Sequence, residues 1–315
     1  MKKITFWLKT KFPTLLFWLG KKKCILSTVF YRKNPIKWTL RKYKKKYGVK
    51  INIDNPESFY EKINYLKHFY FNEKETLLSD KYRVKEFLTN CGDGSVVPKA
   101  LFCADNVKDL KKWVLDNKNK VKKFVIKTNH SCGDIFIYNS GVITRKYGIQ
   151  LKSMNSVFRM LRIALKYNHY YTCFESNYRY IKPLVFVEEY IDMNNATEYE
   201  FMTNYGQIKF VNVVNQRQSI EKSELLYDSS WAPMGGGTKP ISKPLKINYM
   251  ENFIKKYASD FPFCRVDFIE NGDSLFFCEF TFVKSGGIGS LGSEELNRTA
   301  GKLIDISKAL EKNKQ

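Results

Sequence analysis

The chain has 315 residues, 43% of them hydrophobic and 16% aromatic, with a formal net charge of +23. That length and apolar content can bury a sizeable core and two or three subdomains, which excludes a fibrous or disordered chain. Seven cysteines without a CxxC pair, and three histidines that do not cluster with them, argue against a disulfide framework or a zinc site and for a reducing cytoplasm.

The charge is uneven. The first 50 residues hold 16 Lys and Arg and no acid, whereas the remaining 265 hold 38 basic and 31 acidic residues. Phe6, Trp7, Leu8, Phe12, Leu15, Leu16, Phe17, Trp18 and Leu19 interleave with those lysines. No apolar run reaches the roughly 20 residues that span a bilayer. Lys9, Lys11 and Lys21 to Lys23 break up the apolar region a signal peptide needs. Residues 1–50 therefore read as a basic aromatic arm, either an interfacial helix or a solvated lead-in helix. The expectation taken forward is an anionic membrane surface, to which each basic residue contributes roughly 1 kcal/mol. Nucleic acid is not an expected partner, because the charge belongs to an arm rather than to a recognition fold.

After residue 50 the pattern is mixed. Asn55-Pro56-Glu57-Ser58 opens a helix running through His68, and Ser79-Asp80-Lys81 opens another through Leu88, each with a cap-type residue before periodic apolar positions. Val96 to Phe102 reads as a short strand, Val107 to Leu115 as helix, Lys122 to Lys127 as strand, then a polar loop and a strand Ile135 to Tyr138. Ser153 to Lys166 is an amphipathic helix. Strands follow at Leu184 to Ile191, Tyr199 to Thr203 and Ile208 to Val214, and Gly235-Gly236-Gly237 reads as a mobile surface loop. The chain closes on one helix, Glu294 to Leu310.

Phe261 to Phe282 reads as a β-hairpin turned at Asn271-Gly272, with Arg265 and Asp267 on one strand and Glu279 and Thr281 on the other. A three-residue loop, Asn271 to Asp273, pairs Arg265 with Glu279 and sets Asp267 diagonal to it. The two carboxylates could then hold Mg²⁺, or the pair could be a plain cross-strand salt bridge.

The order of short motifs is more specific than any one of them. Ser79-Asp80-Lys81-Tyr82, Val97-Pro98, Phe124 to Gly133 (FVIKTNHSCG), Val187 to Ile191 (VEEYI) and the Asp267/Glu279 hairpin together resemble the ATP-grasp superfamily over about residues 79 to 290. The SDKY segment, the KTNH loop, Asp228 to Trp231 and both hairpin strands resemble the TupA-like branch, associated with bacterial cell-surface polysaccharide synthesis.

The resemblance implies an α+β ATP-grasp fold, two lobes clamping a nucleotide after a helical N-terminal portion. The expected division is an arm at 1–50, a mainly helical subdomain at 51–121, a small lobe at 122–190 and a large lobe at 191–315. It implies ATP and Mg²⁺ as cofactors. Lys127 and Lys81 would grip the phosphates, with Thr128, Asn129, Ser131 and Gly133 forming the phosphate loop. Glu188, Glu189, Tyr190 and Ile191 would form the hinge that reads adenine and ribose. Asp267 and Glu279 would ligate metal, with Thr281 where many members carry asparagine. Arg217 and Arg265 would stabilise a transferred phosphoryl group or an anionic substrate. The family pattern often has aspartate-tyrosine-lysine where this chain has Glu198-Tyr199-Glu200, and Glu200 resembles the acid found there in other branches. His130 and Cys132 read as loop residues rather than catalysts.

The implied activity is an ATP-dependent ligase joining a carboxylate, on a sugar or an amino acid, to an amine through an acyl phosphate. The alternatives are an ATP-grasp kinase, or a glycosyltransferase-pathway protein acting on the same glycan. The implied location is cytoplasmic, peripheral at the inner face of the membrane.

Overall fold

A computed structural model describes residues 11–145, 148–194, 196–215, 223–236 and 241–312. The chain divides into two units: Met1–Phe30, Asp80–Thr172 and Tyr178–Ile191 form the first, and Tyr31–Ser79, Cys173–Asn177 and Asp192–Gln315 the second. The fourfold division expected from sequence is finer than these two units; its last boundary follows residue 190, and the first unit ends at Ile191. Residues 51–79 stand with the C-terminal sheet because Phe59 packs edge-on against Phe210 and Phe263, at 5.6 and 5.4 Å between centroids. Residues 80–121 stand with the N-terminal sheet, where Val107, Leu110 and Val114 share a core with Phe124.

The first unit is a six-stranded antiparallel sheet of β1 (Ala100–Ala104), β2 (Lys123–Thr128), β3 (Ile135–Asn139), β4 (Val142–Arg145), β5 (Ile149–Leu151) and β6 (Val185–Glu189), in the order β1-β6-β2-β3-β4-β5. Alternation along β2 sends Phe124 and Ile126 to the core and Val125 and Lys127 to the opposite face. Helices Val107–Asn117 and Met154–Ala164 cover the core face, so the polar chemistry falls on the other. Asn106 caps the first of these helices, accepting from the Asp109 amide. Helix Pro13–Val29 packs on Met154–Ala164 and inserts Phe17 into the same core.

The second unit is another antiparallel sheet: β7 (Thr197–Asn204), β8 (Gln207–Asn215), β9 (Ser223–Asp228), β10 (Pro233–Gly236), β11 (Cys264–Asn271) and β12 (Ser274–Thr281), ordered β10-β9-β8-β7-β11-β12. Helix Ile247–Ala258 covers one face, with Phe253 against Phe268, Phe277 and Phe280. Helix Phe59–Phe69 begins in a capping box, the Glu61 carboxylate accepting from the Ser58 amide at 2.9 Å.

Several local expectations are corrected. Gly235 and Gly236 are not a surface loop but pair with Leu226 and Leu225 as β10, while Gly237 lies outside the described residues. The closing helix is two, Glu294–Leu303 and Ser307–Lys312; Ile304 takes extended backbone and turns its side chain inward. The second helix begins at Arg83, and Ser79 instead ends a separate helix, Glu73–Ser79; in the turn between them the Asp80 side chain accepts from the Tyr82 and Arg83 amides. No helix among the described residues is long and apolar enough to cross a membrane.

Two half-buried histidines give the fold a pH dependence. Burial, then Lys67, pushes His68 down to about 3, its ring against Thr39 Oγ1 at 2.8 Å. Burial, then Lys21, does the same to His169. Each folded-state pKa lies below the unfolded value of about 6.5, so this stability is complete above that pH and is lost as pH falls. Between pH 7 and 5 each histidine should cost the wild type about 2 kcal/mol that His68→Gln or His169→Gln does not lose. Urea denaturation of both variants at the two pH values checks the difference; parallel pH responses would contradict it.

Candidate active site

In the first unit, the polar face of β2 and β6 carries Lys127 and Glu188. Lys127 forms an ion pair with one Glu188 carboxylate oxygen, and Lys85, from helix Arg83–Leu88, lies 3.0 Å from the other. Lys85 also donates to the Pro98 carbonyl at 2.8 Å. Burial opposes charge on Glu188, but the Lys127 and Lys85 ammoniums outweigh it and hold the carboxyl below its usual range. Two cations thus share one anion in a largely dry place. The two ammoniums on this face suit an anionic group.

The loop after β2 is organised by Asn129 and Asp134. Buried Asn129 donates to Asp80 Oδ2 at 2.8 Å and to the Lys182 carbonyl at 3.0 Å, while its own oxygen accepts from the Leu184 amide. Its backbone carbonyl receives the Lys81 amide at 3.1 Å, which fixes Lys81 beside the loop. The Thr128 and Ser131 hydroxyls lie 2.6 Å apart, and Ser131 donates to buried Asp134. Asp134 also receives Lys21 of helix Pro13–Val29 at 2.8 Å. Burial raises the Asp134 carboxyl, yet Lys21 and Ser131 together hold it below the usual range. Gly133 adopts φ +88°, a left-handed turn suited to glycine, and neighbouring Cys132 is exposed. The His130 ring nitrogens lie against Asn129 Oδ1 and the Ala164 carbonyl, a packing role.

At the end of β6, the Glu189 carboxylate accepts from the Lys99 amide at 2.8 Å, and Lys123 sits 5.5 Å from the Tyr190 ring centroid. Ile191 is the last residue of the first unit.

In the second unit, the hairpin register corrects the sequence reading. The loop is two residues, Gly272-Asp273, with Asn271 opposite Ser274. A bulge at Cys278 then shifts the ladder, so Arg265 faces Thr281 and Asp267 lies directly opposite Glu279 rather than diagonal to it. Without the extra residue, Glu279 would point to the helix-covered face. The bulge also explains how Phe277 and Phe280, three residues apart, both pack on Phe253.

Asp267 is flanked on its other side by Glu200, and Glu200 by Asn212. Ligand atoms of Glu198, Glu200 and Asp267 lie within 4.8 Å of one another. Arg265 grips Asp267 through two bonds of 2.7 and 2.5 Å and reaches Glu279 Oε1 at 3.2 Å and Glu200 Oε2 at 3.8 Å. Lys284 meets Glu200 at 3.1 Å. Burial, only partly offset by Arg265 and reinforced by Glu200 and Glu279, pushes Asp267 up to about 8. Among the described residues, four carboxylates share this sheet face with the Arg265 guanidinium and the Lys284 ammonium. Their hard oxygen donors fit Mg²⁺, which takes carboxylate oxygens and phosphates rather than nitrogen or sulfur. Thr281 stands on the same face, beside Arg265.

The acid face continues into a cleft of about 760 Å³. Asn212 links the two, donating 3.0 Å bonds to Glu200 and to Glu224, and Lys284, Ser290, Ser293 and Thr299 complete its polar wall.

Arg217 lies outside the described residues. Sequence reasoning missed Lys21, Lys85, Asp134, Glu198, Asn212, Glu224 and Lys284 as site residues. Glu198 alone had a usable signal: it alternates with Glu200, so both share one sheet face. The others reach the site from separate elements.

Removing Glu188 should expose the cost of its two lysines. Glu188→Ala leaves Lys85 and Lys127 without their shared counter-ion, and urea denaturation should show a loss of about 3 kcal/mol; a loss under about 1 kcal/mol would mean that both ammoniums regain water.

Among solved structures, a D-alanine–D-alanine ligase from Bacillus anthracis complexed with ATP is 16% identical with a TM-score of 0.44, over 76% of this chain and 68% of that one. The Helicobacter pylori D-alanine–D-alanine ligase is 15% identical with a TM-score of 0.43, over 79% and 68%. The ATP-grasp ligase PsnB, complexed with a minimal precursor, is 10% identical with a TM-score of 0.39 over 77% of this chain, which spans 62% of the PsnB chain. No curated protein sequence matches. Residues 61–305 match the family described as TupA-like ATPgrasp, and the chain belongs to that family.

Proposed function

We propose that this protein is an ATP-dependent ligase that joins a carboxylate to an amine in the synthesis of a cell-surface polysaccharide. The observation that carries the reading is the acid cluster in which Glu198, Glu200 and Asp267 bring their carboxylate oxygens within 4.8 Å of one another, with Glu279 directly opposite Asp267, an oxygen-donor set that suits a divalent cation. Mg²⁺ held there would neutralise nucleotide phosphate oxygens.

The chain's own groups divide the remaining work. Lys127 and Lys81 attract the phosphates, and the turn at Gly133, with Thr128, Asn129 and Ser131, shapes the loop that receives them. Glu188, Glu189, Tyr190 and Ile191 read the nucleoside. Arg265, with Arg217, steadies the phosphoryl group in transfer, since a guanidinium fork matches its oxygens. Thr281 completes the polar face beside the acids. The γ-phosphoryl group passes to a carboxylate oxygen, releasing ADP and forming an acyl phosphate. The amine then attacks the carbonyl carbon and phosphate leaves, giving an amide. The cleft beside Glu200 supports ligation over simple phosphorylation, because the Glu224 carboxylate and the Ser290 and Thr299 hydroxyls suit an amine on a hydroxylated substrate. The carboxylate belongs to a uronic acid or an amino acid. The protein works in the cytoplasm at the inner face of the membrane, held by its basic arm.

ADP release from MgATP in the presence of candidate uronic or amino acids tests the reading. Asp267→Asn and Lys127→Ala should each slow turnover roughly a hundredfold or more with unchanged thermal melting. Hydroxylamine in place of the amine should trap the acyl phosphate as a hydroxamate. A stable phosphorylated sugar without hydroxamate would identify a kinase, and full turnover by Asp267→Asn would reject the metal role.

A further inference from the structure

Helix Pro13–Val29 is apolar on two opposite faces, and only one of them is packed. Its inner face is anchored three ways. Phe17 is 4% exposed within the core, Lys21 reaches Asp134, and the Thr28 hydroxyl donates to the Tyr171 carbonyl at 2.6 Å. The Arg145 guanidinium also lies 4.7 Å from the Phe17 ring centroid. These contacts fix the rotation of the helix about its axis.

The opposite side carries Phe12, Leu15, Leu19, Leu26 and Phe30, which are 47, 52, 44, 61 and 89% exposed. At 3.6 residues per turn they fall within a sector of about 60°. Exposed Lys22 and Lys23 border that sector, one on each side, and Lys22 lies 4.0 Å from the Trp18 ring centroid. Single exposed leucines are ordinary, but an aligned stripe on an anchored helix is not.

We infer that this stripe lies in the interface of an anionic lipid bilayer, with Phe12, Leu15, Leu19, Leu26 and Phe30 among the acyl chains and Lys22 and Lys23 at the headgroups. The inference deepens the membrane part of the functional reading and does not depend on its nucleotide chemistry. Charge decides the occupant. Residues 11–30 carry Lys11, Lys21, Lys22 and Lys23 and no acid, so a second copy set on the stripe would face lysine with lysine. Anionic headgroups supply the missing countercharge, and the acyl region accepts the aromatic and leucine side chains.

Flotation of the full chain with vesicles of phosphatidylcholine, alone or containing phosphatidylglycerol, tests this. The wild type should float with anionic vesicles and be released by salt. A Leu15→Gln/Leu19→Gln/Leu26→Gln variant should partition roughly tenfold more weakly or worse, with unchanged thermal melting and ADP release. Phe30→Gln, at the most exposed position, provides a second variant if the triple one misfolds, and it should also bind more weakly. Flotation of both variants like wild type would overturn the stripe while leaving membrane association to other residues. Failure of the wild type to float would overturn both the stripe and the membrane reading, whereas loss of ADP release in the wild type would count only against the ligase. A wild-type dimer in light scattering that the triple variant abolishes would assign the stripe to a second copy and reject the lipid.

Discussion

One extra residue in β12 decides whether Asp267 and Glu279 share a sheet face. The bulge at Cys278 lets Glu279 stand opposite Asp267 while Phe277 and Phe280 both stay against Phe253 on the covered face. A regular ladder permits only one of these outcomes, because side chains alternate with a period of two. The aromatic core on one side and the carboxylates on the other therefore fix the bulge jointly. Aromatic burial is worth a few kcal/mol per ring, enough to outweigh the ladder irregularity and the crowding of like charges it creates.

That crowding is the energetic signature of the molecule. In the second unit, burial with the neighbouring acids raises Asp267 to about 8 despite its bidentate arginine. In the first unit two ammoniums share Glu188. A chain selected for stability alone would replace such groups with apolar ones of similar volume. On the reading proposed above, the lysines would meet phosphate oxygens and the carboxylates a divalent cation.

Much of the architecture was legible because it rests on local chemistry. Ser58 with Glu61, the alternation through β2 and the hydrophobic run of β6 mark their elements within a few residues. The hairpin strands were equally plain, but their register was not. Asn271-Gly272 signals a turn without saying whether Asn271 belongs to the loop, and no single residue announces a bulge. The spacing of Phe277 and Phe280 does carry the signal, since two rings three apart reach one face only across an irregularity. Gly235-Gly236 reads as loop by propensity, yet pairing with Leu225 and Leu226 overrides it. Lys85, Asp134 and Lys284 were unreadable as site residues for a different reason. Each meets its partner across a long stretch of chain, and an isolated lysine or aspartate in sequence is most often a solvated one.

The N-terminal arm shows the same limit in its clearest form. Sequence gives Pro13–Val29 its charge and its aromatic content, but a helix apolar on both sides has no preferred direction, and periodicity alone cannot say which side is packed. Lys21 resolves this physically. Among three consecutive lysines it is the one drawn in to buried Asp134, and the choice turns Phe17 and Thr28 inward while Leu15, Leu19 and Leu26 turn out. The same Asp134 orders Ser131 in the loop after β2. The orientation of helix Pro13–Val29 and the order of the loop after β2 thus depend on one carboxylate, so substitution of Asp134 would loosen both together.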